Sequence, residues 1–268
     1  MLRFSVSKVT KVFTEYEVRW RKKVTTPADA ARFLDAVGYC LLFPIKNLPL
    51  PSLYYAVSRK DDPDWDQYAR KIWEWKDELP RKRRAFYGKY FKGRGSFISL
   101  EMLPRLLAMH DTAAEPDDYE SFYAAGRIRA DARAVWEALA KHGPLATLEL
   151  RHACKMEATT GNVGFKRAML DLQRLLLVVH FGAEQETAAW ASGRFELTCR
   201  AFPRETAAAR RISKEAARAA IAAKYLEWHP GATPALLARL FAWSKDEALA
   251  AHNRSRTDAG ERKRGDGS

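Results

Sequence analysis

The sequence predicts a mainly α-helical protein with small β hairpins, an α+β class, arranged as units of three short helices. Three observations carry this. Apolar residues recur at helical spacing through most of the chain, as with Ala30, Phe33, Leu34 and Val37 at i, i+3, i+4 and i+7. Helix-start signals repeat at Thr26-Pro27, at Thr233-Pro234 and in the capping box from Ser244 to Glu247. The strand-like runs are short and come as a pair, with Phe195-Glu196-Leu197-Thr198 alternating cleanly.

The elements follow in order. The segment to about Lys23 is basic and weakly patterned. Thr26 caps a first helix that Gly38 ends, and Asp29 suits the positive end of its dipole. Tyr39 to Phe43 is a short buried-looking run, followed by a turn through Pro44, Pro49 and Pro51. Leu53 to Val57 starts another helix. Asp64 to Glu78 is a third, with Trp65, Tyr68, Ile72 and Trp75 on one face; Pro80 breaks it. Ser99 to Met109 is helical, with Pro104 tolerable only near the helix start. A polar connector from Thr112 to Asp118 marks a boundary, which closes a first unit of residues 1–115.

A second unit covers residues 125–205. Ala130 to Lys141 is a helix, Gly143-Pro144 turns the chain, and Thr147 caps a short helix to Lys155. Thr159 to Gly164 reads as a turn with two glycines, and Phe165 to Leu176 as a third helix. Two strands follow, Leu177 to Phe181 and Trp190 to Arg200, joined by a polar tip from Gly182 to Thr187. Three helices and then a hairpin is the winged-helix order, in which the third helix enters the major groove. A third, helix-turn-helix-like unit covers residues 210–252, with helices at Ser213 to Trp228 and Pro234 to Ala242 and a last one from Ser244. It has no wing and looks short. The tail, residues 253–268, is polar and predicted to be disordered.

Charge narrows the function. The 268 residues carry a formal charge of +13, so a polyanion is the expected partner. The longest apolar run, Leu175 to Phe181, is far shorter than a membrane span and is interrupted by His180. The amino terminus lacks the continuous apolar stretch of a secretory signal. Cys40, Cys154 and Cys199 have no metal-ligand spacing and read as reduced thiols of a cytoplasmic, nucleoid-associated protein.

The most informative stretch is Trp73 to Phe97. From Arg81 onward it holds seven cations, Arg81, Lys82, Arg83, Arg84, Lys89, Lys92 and Arg94, and no carboxylate. Phe86, Tyr87, Tyr90, Phe91 and Phe97 are threaded among them. Cations neutralise phosphates and aromatic faces stack on bases, so this pattern fits a nucleic-acid surface. The alternative is that the rings are core and the cations merely solvated. On the third helix of the second unit, Lys166, Arg167, Gln173 and Arg174 are placed to contact phosphates or base edges. The alternative there is a protein-interaction domain with a wet outer face.

Little else signals chemistry. No Walker-type loop is present. Gly93-Arg94-Gly95 is too short to be a nucleotide loop, although it lets backbone approach a phosphate. His152 and His180 fit the edges of packed elements better than a metal site. Asp77 and Glu78 are adjacent, so on a helix they diverge by about 100° and form no catalytic pair. No metal and no cofactor are expected. The expected partner is DNA, with no membrane, bound by a monomer.

Several motifs occur in a telling order: Val37-Gly-Tyr-Cys-Leu-Leu-Phe-Pro44, Leu50-Pro-Ser-Leu-Tyr54, Trp75-Lys-Asp-Glu-Leu-Pro80, Ser99-Leu100, Gly143-Pro-Leu145, Leu150-Arg151, Leu172-Gln-Arg174 and Ala232-Thr-Pro-Ala-Leu-Leu-Ala238. In these the chain resembles the AlkZ/YcaQ family of interstrand-crosslink-repair DNA glycosylases, in particular its AlkZ-related members, to about Ala251. The resemblance implies tandem winged helices forming a concave DNA-binding surface. The family's glycosylases carry Gln-x-Gln or Gln-x-Asp in a stretch resembling Gly38 to Phe43. Here those positions hold Leu41 and Phe43, which cannot orient water or stabilise a cationic sugar by hydrogen bonding. The resemblance thus implies DNA binding and architecture, with no catalytic residues carried over. Three functions remain in play: a DNA-binding protein recognising damaged or distorted DNA, a monofunctional glycosylase for bulky alkylated or crosslinked purines working through other residues, and a winged-helix transcription regulator.

Overall fold

The computed structural model describes residues 20, 22–157, 159–185 and 191–265. Most of the basic segment up to Lys23, the end of the polar tip and the Trp190 start of the last strand lie outside the described residues. The architecture is α-rich with two small three-stranded antiparallel sheets.

The first part runs α1 (Pro27–Val37), β1 (Tyr39–Leu41), α2 (Leu53–Ser58), α3 (Gln67–Arg81), β2 (Phe86–Gly88) and β3 (Ser96–Ile98). Each helix has a sequence-coded start. Thr26 and Asp29 form a reciprocal capping box, Ser52 accepts from Tyr55 N–H, and Asp66 accepts from Tyr68 and Ala69 N–H. The helix expected from Asp64 begins after Asp66 because that side chain caps it. Pro80 does not break it. The helix continues to Arg81, since a proline in the last turn removes one N–H while the Lys82 and Arg83 N–H groups still take up the Glu78 and Pro80 carbonyls, each at 2.9 Å. Strand order is β1-β3-β2.

After α4 (Leu103–His110) and α5 (Tyr119–Ala124), the second part runs α6 (Ala130–His142), β4 (Leu145–Ala146), α7 (Thr147–Ala153), α8 (Thr159–Arg174), β5 (Val178–Gln185) and β6 (Ala191–Leu197). Its sheet order is β4-β6-β5. Helix, strand, helix, helix, strand, strand therefore occurs twice, with the last strand central each time.

Two local expectations change here. Thr147 does not cap α7: its hydroxyl donates to Gly193 C=O at 2.9 Å, and Ala146 is the cap residue, its N–H held by Glu149 at 2.9 Å. The two-glycine stretch from Thr159 is the first part of α8 rather than a turn, because burial of the following Phe165 face outweighs glycine's propensity cost of about 1 kcal/mol.

Short helices α9 (Thr198–Ala201) and α10 (Pro203–Ala209) lead to α11 (Lys214–Trp228), α12 (Pro234–Phe241) and α13 (Lys245–Gly265). Residues 254–265 are helical, a correction to the disorder expected there, with Ser255 buried on the inner side of α13.

Two cores result. One joins Val24 to Met109 with Phe202 and with Ala217, Ile221, Tyr225, Trp228, Phe241 and Ala251. The other is built from residues between Ala114 and Leu197 around the buried Trp136. Tyr39 shows how the last helices complete the first core. Its hydroxyl donates to Ile221 C=O at 3.0 Å and its ring lies 5.6 Å from Phe241.

Candidate nucleic-acid interface

The cationic run starts where α3 ends. Arg81 lays its stem against Gly182 of β5, 3.4 Å from where a Cβ would stand. Lys82 pairs with Glu78 at 2.5 Å. Arg83 adopts a left-handed φ of 51° and turns its guanidinium inward, donating from Nε to Ala201 C=O at 2.9 Å and lying over the Phe181 ring. Arg84, Lys89, Lys92 and Arg94 are exposed and form no ion pair among the described residues.

The aromatics of the run do not form a stacking surface. Phe86, Phe91 and Phe97 are fully enclosed, Tyr90 is buried, and Tyr87 packs on Phe97 at 4.7 Å. Their spacing matches a core as well as a base-stacking face, and burial of so much apolar area decides between them. The sequence pattern is therefore a buried aromatic ladder with cations on its outer side.

Helix α8 meets this outer side. Gln173 is 4% exposed, so it is not a surface contact. Its Oε1 accepts from Lys89 N–H and its Nε2 donates to Met169 C=O, both at 3.0 Å. Arg174 lies beside the Lys92-Gly93 bend: a Cβ on Gly93 (φ +73°) would be 3.3 Å from the Arg174 guanidinium and 3.3 Å from Leu170. Only a glycine leaves that approach open. Lys166 and Arg167 are exposed farther back on α8 and, like Arg174, have no ion pair among the described residues. The structure thus brings the Lys89–Arg94 bend and Arg174 together, with Gln173 an internal tie and Arg83 an exposed residue anchored to the Ala201 carbonyl.

Leu41 and Phe43 sit elsewhere. Leu41 is 0% exposed in β1, and its N–H bonds to Pro51 C=O at 2.8 Å. Phe43 is half-buried against Tyr54, with ring centroids 5.6 Å apart. Both pack on the first core.

Asp77 and His180, unremarkable one at a time, meet in one polar cluster. Asp77 Oδ1 accepts from His180 Nε2 and from Lys76 Nζ, the latter at 2.7 Å. Burial would raise the Asp77 carboxyl, but the His180 and Lys76 hydrogen bonds outweigh it and hold the group below the usual carboxylate range. Burial pulls His180 below the ordinary imidazole value despite its bond to Asp77. Beside the cluster stand Trp65 and Trp73, 56% and 45% exposed and 5.6 Å apart, edge to face. No local motif announces the Asp77–His180 pair, because 103 positions separate the two residues. Among the described residues no group of His, Cys, Asp and Glu is arranged to hold a metal, and no helix is long and apolar enough to cross a membrane.

Fold and site together define an α+β protein of twice-repeated topology with a cationic seam where the repeats meet. The chain belongs to the AlkZ-related family: the family model described as AlkZ related matches residues 24–242. Membership relates it to DNA-repair glycosylases, as the ordered motifs from Val37 to Ala238 imply. No curated protein and no solved structure matches the chain.

Proposed function

We propose that this is a DNA-binding protein of tandem winged-helix architecture that recognises damaged or distorted DNA and lacks the family's Gln-x-Gln or Gln-x-Asp chemistry. The observation that carries the reading is the seam itself. The Lys89–Arg94 bend and α8 are tied through Gln173, which presents four exposed cations from two repeats side by side. Clustered cations of one sign, with no ion pair among the described residues, suit a phosphate backbone. In this reading α3 and α8 are the third helices of units spanning residues 1–115 and 125–205. Residues 210–252 brace the first unit, and Lys166 and Arg167 extend the surface along α8. Buried Leu41 and half-buried Phe43 support loss of the family's polar pair. The protein works as a monomer.

Salt titration of binding to intact, nicked and crosslinked duplexes tests this. The expected result is a log–log slope of several units, about 0.9 per phosphate neutralised, with tighter binding to the nicked or crosslinked DNA. Affinity that ignores salt overturns it. One observation favours a second reading, base release through residues outside the family signature, and it is the Asp77 cluster.

A further inference from the structure

Asp77 is a carboxylate set beside a cationic surface, and it is held unlike a surface ion pair. One oxygen, Oδ1, is anchored inside the protein by His180 and Lys76. The other, Oδ2, has no partner among the described residues and is not enclosed, as the side chain keeps 24% of its surface. In a Ser-His-Asp hydrolase the carboxylate is buried and the imidazole works. Here the order is reversed. His180 is walled by the Tyr87 and Phe195 rings at 5.5 and 5.4 Å, and the carboxylate is the group presented.

The surroundings combine a strand irregularity with an exposed indole. The pairing of β5 shifts register between His180 and Ala183, and Gly182 occupies the irregularity at φ +107°. Such bulges often adjoin working sites because they re-aim a neighbouring side chain. Gly182 packs against the Arg81 stem and the Asp77 backbone carbonyl, 3.4 and 3.7 Å from where a Cβ would stand, so the irregular strand sits directly on the turn of α3 that carries Asp77. Trp73 offers an exposed indole, and the Lys76 ammonium lies 4.5 Å from its ring centre. An ionised carboxylate here weakens phosphate binding. Its chemistry suits a centre that becomes positive during reaction.

We propose that Asp77 is the catalytic carboxylate of a base-releasing activity, filling the role that Leu41 and Phe43 cannot; the proposal rests on the DNA-binding reading above. A nucleotide rotated out of the duplex places its sugar C1′ at Oδ2 and its base beside Trp73. The C1′–N bond breaks and its electron pair leaves with the base nitrogen. The carboxylate stabilises the cationic sugar. Water adds its oxygen to C1′ and gives a proton to Asp77, which passes it to the departing base. The products are the free base and an abasic deoxyribose bearing a C1′ hydroxyl, with no change of oxidation state overall. His180 and Lys76 are positioning residues.

The test uses the full chain with methylated duplex DNA and with duplex crosslinked by a nitrogen mustard, in single turnover, followed by alkali cleavage and detection of free base. The expected result is alkali-labile sites with the wild type and a loss of about a hundredfold in Asp77→Asn, with duplex affinity within threefold. Glu78→Gln, which alters the neighbouring surface carboxylate, should leave release unchanged. Release that survives in Asp77→Asn overturns the assignment. So does a wild type that binds DNA and frees no base, which leaves the DNA-binding reading standing. A wild type that does not bind DNA overturns both. If Asp77→Asn fails to bind DNA, Trp73→Ala decides: lost release with binding kept supports the site, and unchanged release sinks it.

Discussion

Gln173 and Lys89 clamp the two cationic segments together. The Gln173 side chain, buried in the second repeat, accepts the Lys89 backbone N–H of the first at 3.0 Å while its own N–H₂ holds Met169 C=O. One neutral amide thus ties together the two segments that carry the four charged side chains. Gln173→Leu removes the acceptor and leaves the Lys89 N–H without its partner. The expected cost is about 1–3 kcal/mol in chemical denaturation, together with weaker DNA binding. Unchanged stability would show that the tie is dispensable.

Arg94→Ala and Arg83→Ala should separate binding from folding. Arg94 is exposed with no ion pair among the described residues, so its loss should leave stability within about 0.5 kcal/mol and reduce the salt slope by about 1. Arg83 ties the end of α3 to the Ala201 carbonyl. Its loss should show mainly in denaturation, at about 1 kcal/mol, with the salt slope little changed. Paired salt titrations and melts of both variants check this.

Phe97→Ala reports on the buried aromatic ladder. Phe97 sits on the central strand β3, paired with β1 on one side and β2 on the other, and its ring is fully enclosed, so a loss of about 3–5 kcal/mol is expected by urea unfolding. A stable variant with weakened DNA binding would instead return the ring to a stacking role.

Leu41→Gln places an amide at a fully buried site among apolar neighbours. The expectation is destabilisation of about 2–5 kcal/mol, combining lost packing with an unpaired polar group. A well-folded variant would mean that the family's polar position is still accessible here.

His110 gives the protein an acid-side weakness. Burial, reinforced by Arg127 and Arg218, lowers its pKa to about 4 from 6.5. Its Nε2 is hydrogen-bonded with the Tyr90 hydroxyl at 2.8 Å. The unfolded chain takes up this proton below pH 6.5 and the folded chain only near pH 4, so the unfolded state binds more protons between those values. Stability should fall with decreasing pH through that window, by up to about 1.4 kcal/mol per unit. Denaturation curves of wild type and His110→Gln across that range check the slope, which the variant should lose.

Much of this was legible residue by residue. Thr26, Ser244 and the periodic face around Phe33 specify their helices through local chemistry, and local chemistry is what a sequence displays. The order of α6, α7, α8 and the hairpin follows for the same reason. The Arg81–Arg94 run was visible as a charge anomaly, but its aromatics satisfy a core and a stacking surface equally, and only the packing partners Phe202 and Phe241 decide. The roles of Arg83, Gln173 and Asp77 depend on residues 84 to 118 positions away. No spacing rule reaches that far. Pro80 and the Thr159 start misled for the opposite reason: a local propensity was overruled by tertiary burial and by satisfied helix-end carbonyls.

The closure of the first core by α11 and α12 bears on how the protein is made. Tyr39 leans on Phe241 and on Trp228, and Tyr225 donates its hydroxyl to Pro49 C=O at 2.8 Å. Residues synthesised first therefore wait for partners that leave the ribosome some two hundred positions later. The middle repeat, whose core draws on a contiguous stretch, can fold while the chain is still growing. The opening segment cannot. Such distant pairing slows folding, and a nascent chain stalled before residue 214 would expose the aromatic ladder to solvent. The Lys89–Arg94 side of the seam is backed by that first core, so its final packing waits for α11 and α12 even though every residue of the seam has been made well before them.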